Sequence, residues 1–200
     1  MVTFAEAVSI LVQRDRDFAQ VITQYGQPTP WQREPGFATL IGIILGQQVS
    51  LASAQATFTK LENLVSVITP ENILELTDAE LKGVGFSRQK TAYAKELATA
   101  VTSEQLDLNQ LAQLADSEIR QKLTQIKGIG DWTVDMYLMM ALKRLDVFPS
   151  KDLAVAIATK EIKQLDYRPK APELEQIALA WQPYRAVATT ILWHYYLNRV

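Results

Sequence analysis

Leu123-Thr-Gln-Ile-Lys-Gly-Ile-Gly-Asp-Trp-Thr133 is the stretch on which the reading of this 200-residue chain turns. Apolar Leu123 and Ile126 close one helical pattern, Gly128-Ile129-Gly130 reverses the chain, and a second helix starts near Asp131. Glycine tolerates positive φ and lets a partner approach the backbone closely. Backbone N–H groups gathered in such a turn, at a helix N-terminus, form a concavity suited to a phosphate. Ile129, between the two glycines, is expected to point inward and pin the bend. A lone Gly-x-Gly is weak evidence; a helix–Gly-aliphatic-Gly–helix with apolar positions on both flanks is far more specific.

On either side of the bend the chain reads as helix after helix. Leu, Ala, Gln, Glu and Lys dominate, with apolar residues three and four apart. The spacing predicts helices over 4–13, 16–25, 37–47, 51–64, 71–76, 78–83, 87–101, 108–114 and 116–125. Four more are expected over 131–144, 150–164, 172–180 and 184–198, and no segment reads as a sheet strand. The expected fold class is therefore all-α. Residues 37–47 are apolar nearly all round, which marks a central buried helix. Ser50 is placed to cap the helix after it, and Thr69-Pro70 is an N-cap with Pro at the first helical position. Residues 26–35 carry three prolines and read as a loop. Leu81-Lys-Gly-Val-Gly-Phe-Ser-Arg-Gln-Lys90 repeats the pattern of the first bend, although two ordinary glycine helix ends would look the same.

Composition removes several classes. Hydrophobic residues at 48% and charged residues at 21% suit a globular chain. With 20 Lys+Arg against 22 Asp+Glu the net charge is −2, which excludes binding by bulk positive charge alone. The absence of cysteine excludes disulfides, thiolate zinc sites, cysteine-ligated iron–sulfur clusters and cysteine nucleophiles. A single histidine, His194, argues against a His-rich metal site and against a Ser-His-Asp hydrolase. No basic segment followed by an apolar run opens the chain, and no apolar run approaches the ~20 residues of a membrane span. The expected location is intracellular. Charge is uneven, however: residues 119–170 hold ten basic and six acidic side chains, a local +4 that suits phosphate contacts as well as a solvated helical surface.

About twenty residues beyond the bend lies Leu145-Asp-Val-Phe-Pro-Ser-Lys-Asp-Leu153. Pro149 ends an extended approach, Ser150 is the expected N-cap, and Asp152 falls in the first helical turn, where the helix dipole favours an ionised carboxylate. Taken alone, Asp152 reads as a helix-start acid.

The pairing of the Gly128-Ile129-Gly130 bend with the downstream Asp152 resembles the helix-hairpin-helix, Gly/Pro…Asp superfamily of DNA base-excision glycosylases, and within it the 3-methyladenine DNA glycosylase II (alkylbase glycosylase) branch. Ile44-Leu-Gly-Gln-Gln-Val-Ser50 is similar to that branch's Leu-Gly-Gln-x-Val/Leu-Ser segment, and Gly83-Val-Gly-Phe-Ser-Arg-Gln-Lys90 to its Gly-hydrophobic-x-x-x-Arg/Lys-Lys turn. Trp181-Gln-Pro-Tyr-Arg185 with Trp193 resembles its Trp-x-Pro-Trp/Tyr-Arg…Trp ending. The five motifs run in order over roughly 35–200. Larger bacterial members carry an extra N-terminal α/β domain, and this chain resembles the minimal helical form.

The resemblance implies a single unit of two helical lobes, with 35–125 as the central lobe, 1–34 plus 126–200 as the other, and the active-site cleft between the lobes. It implies Asp152 as the catalytic carboxylate that stabilises an oxocarbenium-like sugar and orients water. Lyase-competent members carry a lysine just after the bend; Trp132 stands there in this chain, which implies a monofunctional glycosylase that leaves an abasic site. The damaged base would be flipped out of the duplex and held against aromatic faces. Trp132, Met136, Tyr137, Leu153 and Trp193 are the implied base-pocket residues, with Met136 at a position that is aromatic in well-known members. For each aromatic, core packing is the competing reading. Gln47, Gln48, Ser50, Lys127, Gly128, Ile129 and Gly130 are the implied DNA-binding residues, with Gln48, or Gln47 in its place, as the wedge that fills the gap. No cofactor is required on this reading. A structural Na+ or K+ is implied at the main-chain oxygens of Thr124, Ile126 and Ile129, and an iron–sulfur cluster is not. The implied partner is double-stranded DNA containing alkylated bases, bound by a monomer without membrane contact, in the cytoplasm and nucleoid or the nucleus. The competing functional reading is a non-catalytic helix-hairpin-helix module that binds damaged or bent DNA.

Overall fold

Polar side chains set most of the helix starts. Thr3 and Thr77 each accept a hydrogen bond from the backbone N–H three residues on, and Glu6 and Glu80 reach back to complete two capping boxes. Asp15, Ser50, Thr69, Ser87, Asp107 and Asp152 cap six further helices in the same sense. The computed structural model describes residues 2–199, and the regular structure among the described residues is helical throughout.

Two compact units divide the chain. One is Arg33–Tyr137. It holds α3 (Phe37–Gly46), α4 (Leu51–Val65), α5 (Pro70–Glu75), α6 (Asp78–Val84), α7 (Arg88–Thr102), α8 (Leu108–Leu111), α9 (Asp116–Leu123) and the first turns of α10 (Asp131–Met140). Its centre is α3, which buries Phe37, Leu40, Ile41, Ile43, Ile44 and Leu45 against α4 and α7. The all-round apolar sequence of 37–47 therefore has the expected outcome. Burying a side chain of this size stabilises the folded state by about 1.5–3 kcal/mol.

The other unit runs up to Gln32 and resumes at Leu138. It contains α1 (Phe4–Arg14), α2 (Arg16–Tyr25), α11 (Leu153–Ile162), α12 (Ala171–Ala178) with a short 3-10 turn (Leu179–Trp181), and α13 (Arg185–Asn198). Here α13 is central, with Ala186 to Trp193 buried in an unbroken run against α1, α2 and α11. Two threonines sit inside that run, and each hydroxyl donates to the carbonyl four residues back, Thr189 at 2.9 Å and Thr190 at 3.0 Å.

Four boundaries differ from the sequence reading by three residues or more. The unit boundary falls at 137/138 rather than 125/126, because the bend and the start of α10 are bonded and packed to residues of the Arg33–Tyr137 unit. α10 stops at Met140 instead of 144: Lys143 takes a left-handed φ of 55°, a conformation glycine usually supplies at a helix end, and the Arg144 N–H closes onto Leu138 O, six positions back, at 2.9 Å. α11 starts at Leu153 instead of 150, since Asp152 is the N-cap and the Ser150 hydroxyl instead donates to Glu175 at 2.8 Å. α8 is also shorter than expected, ending at Leu111, after which Gln113 and Leu114 form three-residue turns.

One polar cluster ties the discontinuous halves of the second unit together. Asp15 ends α1 and starts α2, and its carboxylate accepts from Lys163 Nζ at 2.7 Å and Trp181 Nε1 at 2.8 Å. Lys163 also reaches Asp17 at 2.8 Å. Burial pushes the Asp15 carboxyl up, but the Lys163 and Trp181 hydrogen bonds outweigh it and hold the group below its usual range. A depressed carboxyl stabilises the fold above its unfolded-state pKa and loses that contribution as pH falls through the folded-state value. Lys163→Met leaves Asp15 largely buried without its cation, an expected loss of about 2 kcal/mol at neutral pH. Urea unfolding across a pH series checks this: the difference between parent and variant shrinks toward acid as Asp15 takes up its proton, and a difference independent of pH refutes the assignment.

Candidate active site

The bend is held from within and from two sides. α9 ends at Leu123 with Thr124 as its C-cap. The Ile126 N–H then donates to Leu123 O at 3.1 Å and the Ile129 N–H to Ile126 O at 3.0 Å. Gly128 has φ +95°, and a Cβ there would stand 2.1 Å from the Tyr93 ring. Both conformation and space therefore require glycine. Ile129 is buried as expected, while Lys127 and Gly130 are exposed. Arg120 on α9 bridges to Asp131 and Asp135 on α10, which clamps the two helices that flank the bend. Burial disfavours its charge, but Asp135 and Asp131 outweigh that and raise its pKa.

The end of α3 supports the bend. Gln47 is the C-cap of α3, and its amide donates to Gly128 O at 2.9 Å and to Thr133 Oγ1 at 3.0 Å. Gln48 follows in a left-handed conformation, φ 57°, and is exposed. The sequence left the two glutamines as alternatives for one role; the structure engages Gln47 in bracing the bend and presents Gln48. Ser50 caps α4 by accepting from Ser53 N at 3.2 Å. A surface cleft of about 360 Å³ opens here, with Gln47, Gln48 and Gly128–Gly130 on one side and Gln89, Lys90 and Tyr93 of α7 on the other. Ser50 and Lys127 do not line it.

On α10, Trp132 is half-buried, and Met136 and Tyr137 are fully or nearly buried. The Tyr137 hydroxyl accepts the Gly36 N–H at 3.1 Å, and burial pushes its pKa up. Tyr137 thereby also anchors the start of α3. Thr124 offers its carbonyl at the free end of α9, and the Ile126 carbonyl keeps a lone pair beyond the one given to Ile129. Among the described residues no group of three or more His, Asp or Glu side chains is arranged to hold a metal ion.

In the other unit, Asp152 is fixed by two donors to one oxygen. Oδ1 accepts from Val155 N at 2.9 Å, the cap bond of α11, and from Trp193 Nε1 at 3.3 Å. Trp193, buried on α13, meets Trp31 edge to face at 6.0 Å between ring centroids. Leu153, immediately after Asp152, is exposed at 56%. The structure thus brings Asp152 and Trp193 together as one hydrogen-bonded pair. Trp31 was not anticipated, because a tryptophan in a proline-rich loop carries no periodic signal. The local positive charge is smaller in effect than its count, since Lys163 is paired with Asp15 and Asp17, which lie outside the segment.

Comparison with known proteins identifies the family. Residues 41–183 match the model of the HhH-GPD superfamily base excision DNA repair protein. DNA-3-methyladenine glycosylase 1 of Schizosaccharomyces pombe is 28% identical over 186 residues, which cover 90% of this chain and 82% of that protein. A Bacillus subtilis relative, YfjP, is 36% identical over 124 residues, and this chain spans only 43% of its length. The solved structure of the Schizosaccharomyces pombe 3-methyladenine DNA glycosylase in complex with abasic DNA superimposes with a TM-score of 0.86 at 27% identity, covering 94% of this chain and 95% of that one. With more than half of its length matched, and a glycine bend and a downstream helix-capping aspartate in order, the chain belongs to the HhH-GPD superfamily of base excision DNA repair proteins.

Proposed function

We propose that this chain is a monofunctional DNA glycosylase of base excision repair, which hydrolyses the N-glycosidic bond of alkylated bases of the 3-methyladenine and 7-methylguanine type and leaves an abasic site. The observation that carries the reading is Asp152, a carboxylate held in place by Val155 N–H and Trp193 N–H in a chain of this superfamily. As the C1′–N bond breaks, its electron pair leaves with the base. An alkylated purine is already cationic and departs neutral, so it needs little acid catalysis. The sugar is left as an oxocarbenium-like cation, which a fixed carboxylate beside it stabilises more than it stabilises the uncharged sugar of the ground state. Water adds at C1′ and gives up its proton to the carboxylate or to solvent.

On this reading the bend carries the duplex through backbone contacts around Gly128 and Gly130, and Gln48 fills the gap left by the flipped nucleotide. Trp132 occupies the position of the lyase lysine, which supports hydrolysis without Schiff-base chemistry. No cofactor takes part. The proposal extends to a Na+ or K+ at the Thr124, Ile126 and Ile129 oxygens, which would fix the bend, and to a monomer acting on intracellular duplex DNA. Among the described residues no helix is long and apolar enough to cross a membrane.

Asp152→Asn keeps an oxygen for the Val155 and Trp193 donors, so the variant folds and binds DNA. Release of 3-methyladenine from methylated DNA, followed by chromatography, is expected to fall roughly 10²–10³-fold, on the scale of losing one aligned electrostatic contact. Parent-like release would reject Asp152 as the catalytic group and favour a binding module. Gly128→Ala forces a side chain into the Tyr93 ring at a left-handed φ that costs roughly 1–2 kcal/mol for a non-glycine residue, before any clash. Duplex binding, read by fluorescence anisotropy, is expected to weaken by about tenfold or more, since every 1.4 kcal/mol is a factor of ten.

A further inference from the structure

The Gly83-Val-Gly-Phe-Ser-Arg-Gln-Lys90 turn has no part in the reaction described above, yet it too closes on a left-handed glycine. Gly85 closes α6 with a left-handed φ of 110°, and a Cβ there would stand 2.9 Å from Thr57 Oγ1. The Phe86 N–H returns to Leu81 O at 3.0 Å, and Ser87 caps α7 by accepting from Lys90 N at 3.2 Å. Gln89, Lys90 and Tyr93 on the first two turns of α7 thereby line the cleft that Gln48 and Gly128–Gly130 line from the other side. Lys90 is the one charged side chain among the residues lining the cleft, and no Asp or Glu lines it. Its ammonium donates to Leu45 O at 2.6 Å, in the last turn of α3, and keeps two further N–H groups. The Gln89 amide donates to the Tyr93 hydroxyl, while one face of the Tyr93 ring is covered by Gly128. A cation without a facing acid, beside neutral polar groups, suits an anion better than it suits a base.

We propose that this cleft binds a phosphodiester of the DNA backbone, with Lys90 as its cation and Gln89 and Tyr93 as polar contacts, so that α7 is a second strand-gripping element alongside the glycine bend. The inference rests on the reading of the chain as a DNA glycosylase. Burial pulls the Lys90 pKa below the ordinary lysine value, and a bound phosphate would restore it.

The test measures the affinity of the full chain for a short undamaged duplex over a range of salt concentrations. Each phosphate neutralised contributes about 0.9 to the slope of log K against log salt. Lys90→Gln is expected to weaken binding and lower that slope by about one. Gln89→Glu, on an exposed side chain, is expected to weaken binding by placing a carboxylate against the phosphate, with an unchanged unfolding midpoint. An unchanged slope in Lys90→Gln, whatever its affinity, shows that Lys90 only caps α3 and overturns the proposal. Should Lys90→Gln fail to fold, Gln89→Glu decides alone, and parent-like affinity overturns it. Base release by the parent protein from methylated DNA is a separate readout, so a failed glycosylase reading and a failed cleft assignment are told apart.

Discussion

The face of Tyr93 lies where any side chain on residue 128 would have to stand, and the arrangement around the bend depends on that approach. A bend closed only by short backbone hydrogen bonds is soft. Here it is seated on an aromatic ring of α7, bonded through its carbonyl to Gln47 of α3, and flanked by helices that Arg120 clamps. Three segments far apart in sequence thus become one rigid surface. That matters for the grip on DNA proposed above, because main-chain donors have no side-chain freedom with which to correct a misplaced loop.

The parts that were legible in the sequence are those whose signals are local. Gly128-Ile129-Gly130 announced a reversal because glycine is needed there and Ile129 had to go inward. The apolar run at 37–47 announced a buried helix because no polar face was left to expose. Where a local signal was missing, the boundary moved. Lys143 ends α10 in a conformation usually reserved for glycine, which nothing in Lys-Arg-Leu-Asp advertises. Ser150 and Asp152 are both acceptable caps, and only the long-range bond from Ser150 to Glu175 decides between them. Gln47 was marked for DNA contact, yet the bonds that engage it cross 81 and 86 residues and are invisible to any window of sequence.

Charge shows the same division. A segment count finds a positive stretch at 119–170, but the pairing of Lys163 with Asp15 and Asp17, which lie outside it, offsets part of that excess. Lys90, outside that stretch, is the cation that lines the cleft beside the bend. For a chain of net charge −2, the placement of individual ammonium groups against backbone carbonyls decides more than composition does.

Asp152 joins two tasks in one oxygen. The atom that receives Val155 N–H begins α11, and it belongs to the carboxylate on which the proposed chemistry depends. Helix ends fray at free energies well below that of whole-molecule unfolding. Warming would therefore silence the protein by loosening one turn while its two cores remain intact, and a molecule in this state would still pass for native by its overall helix content.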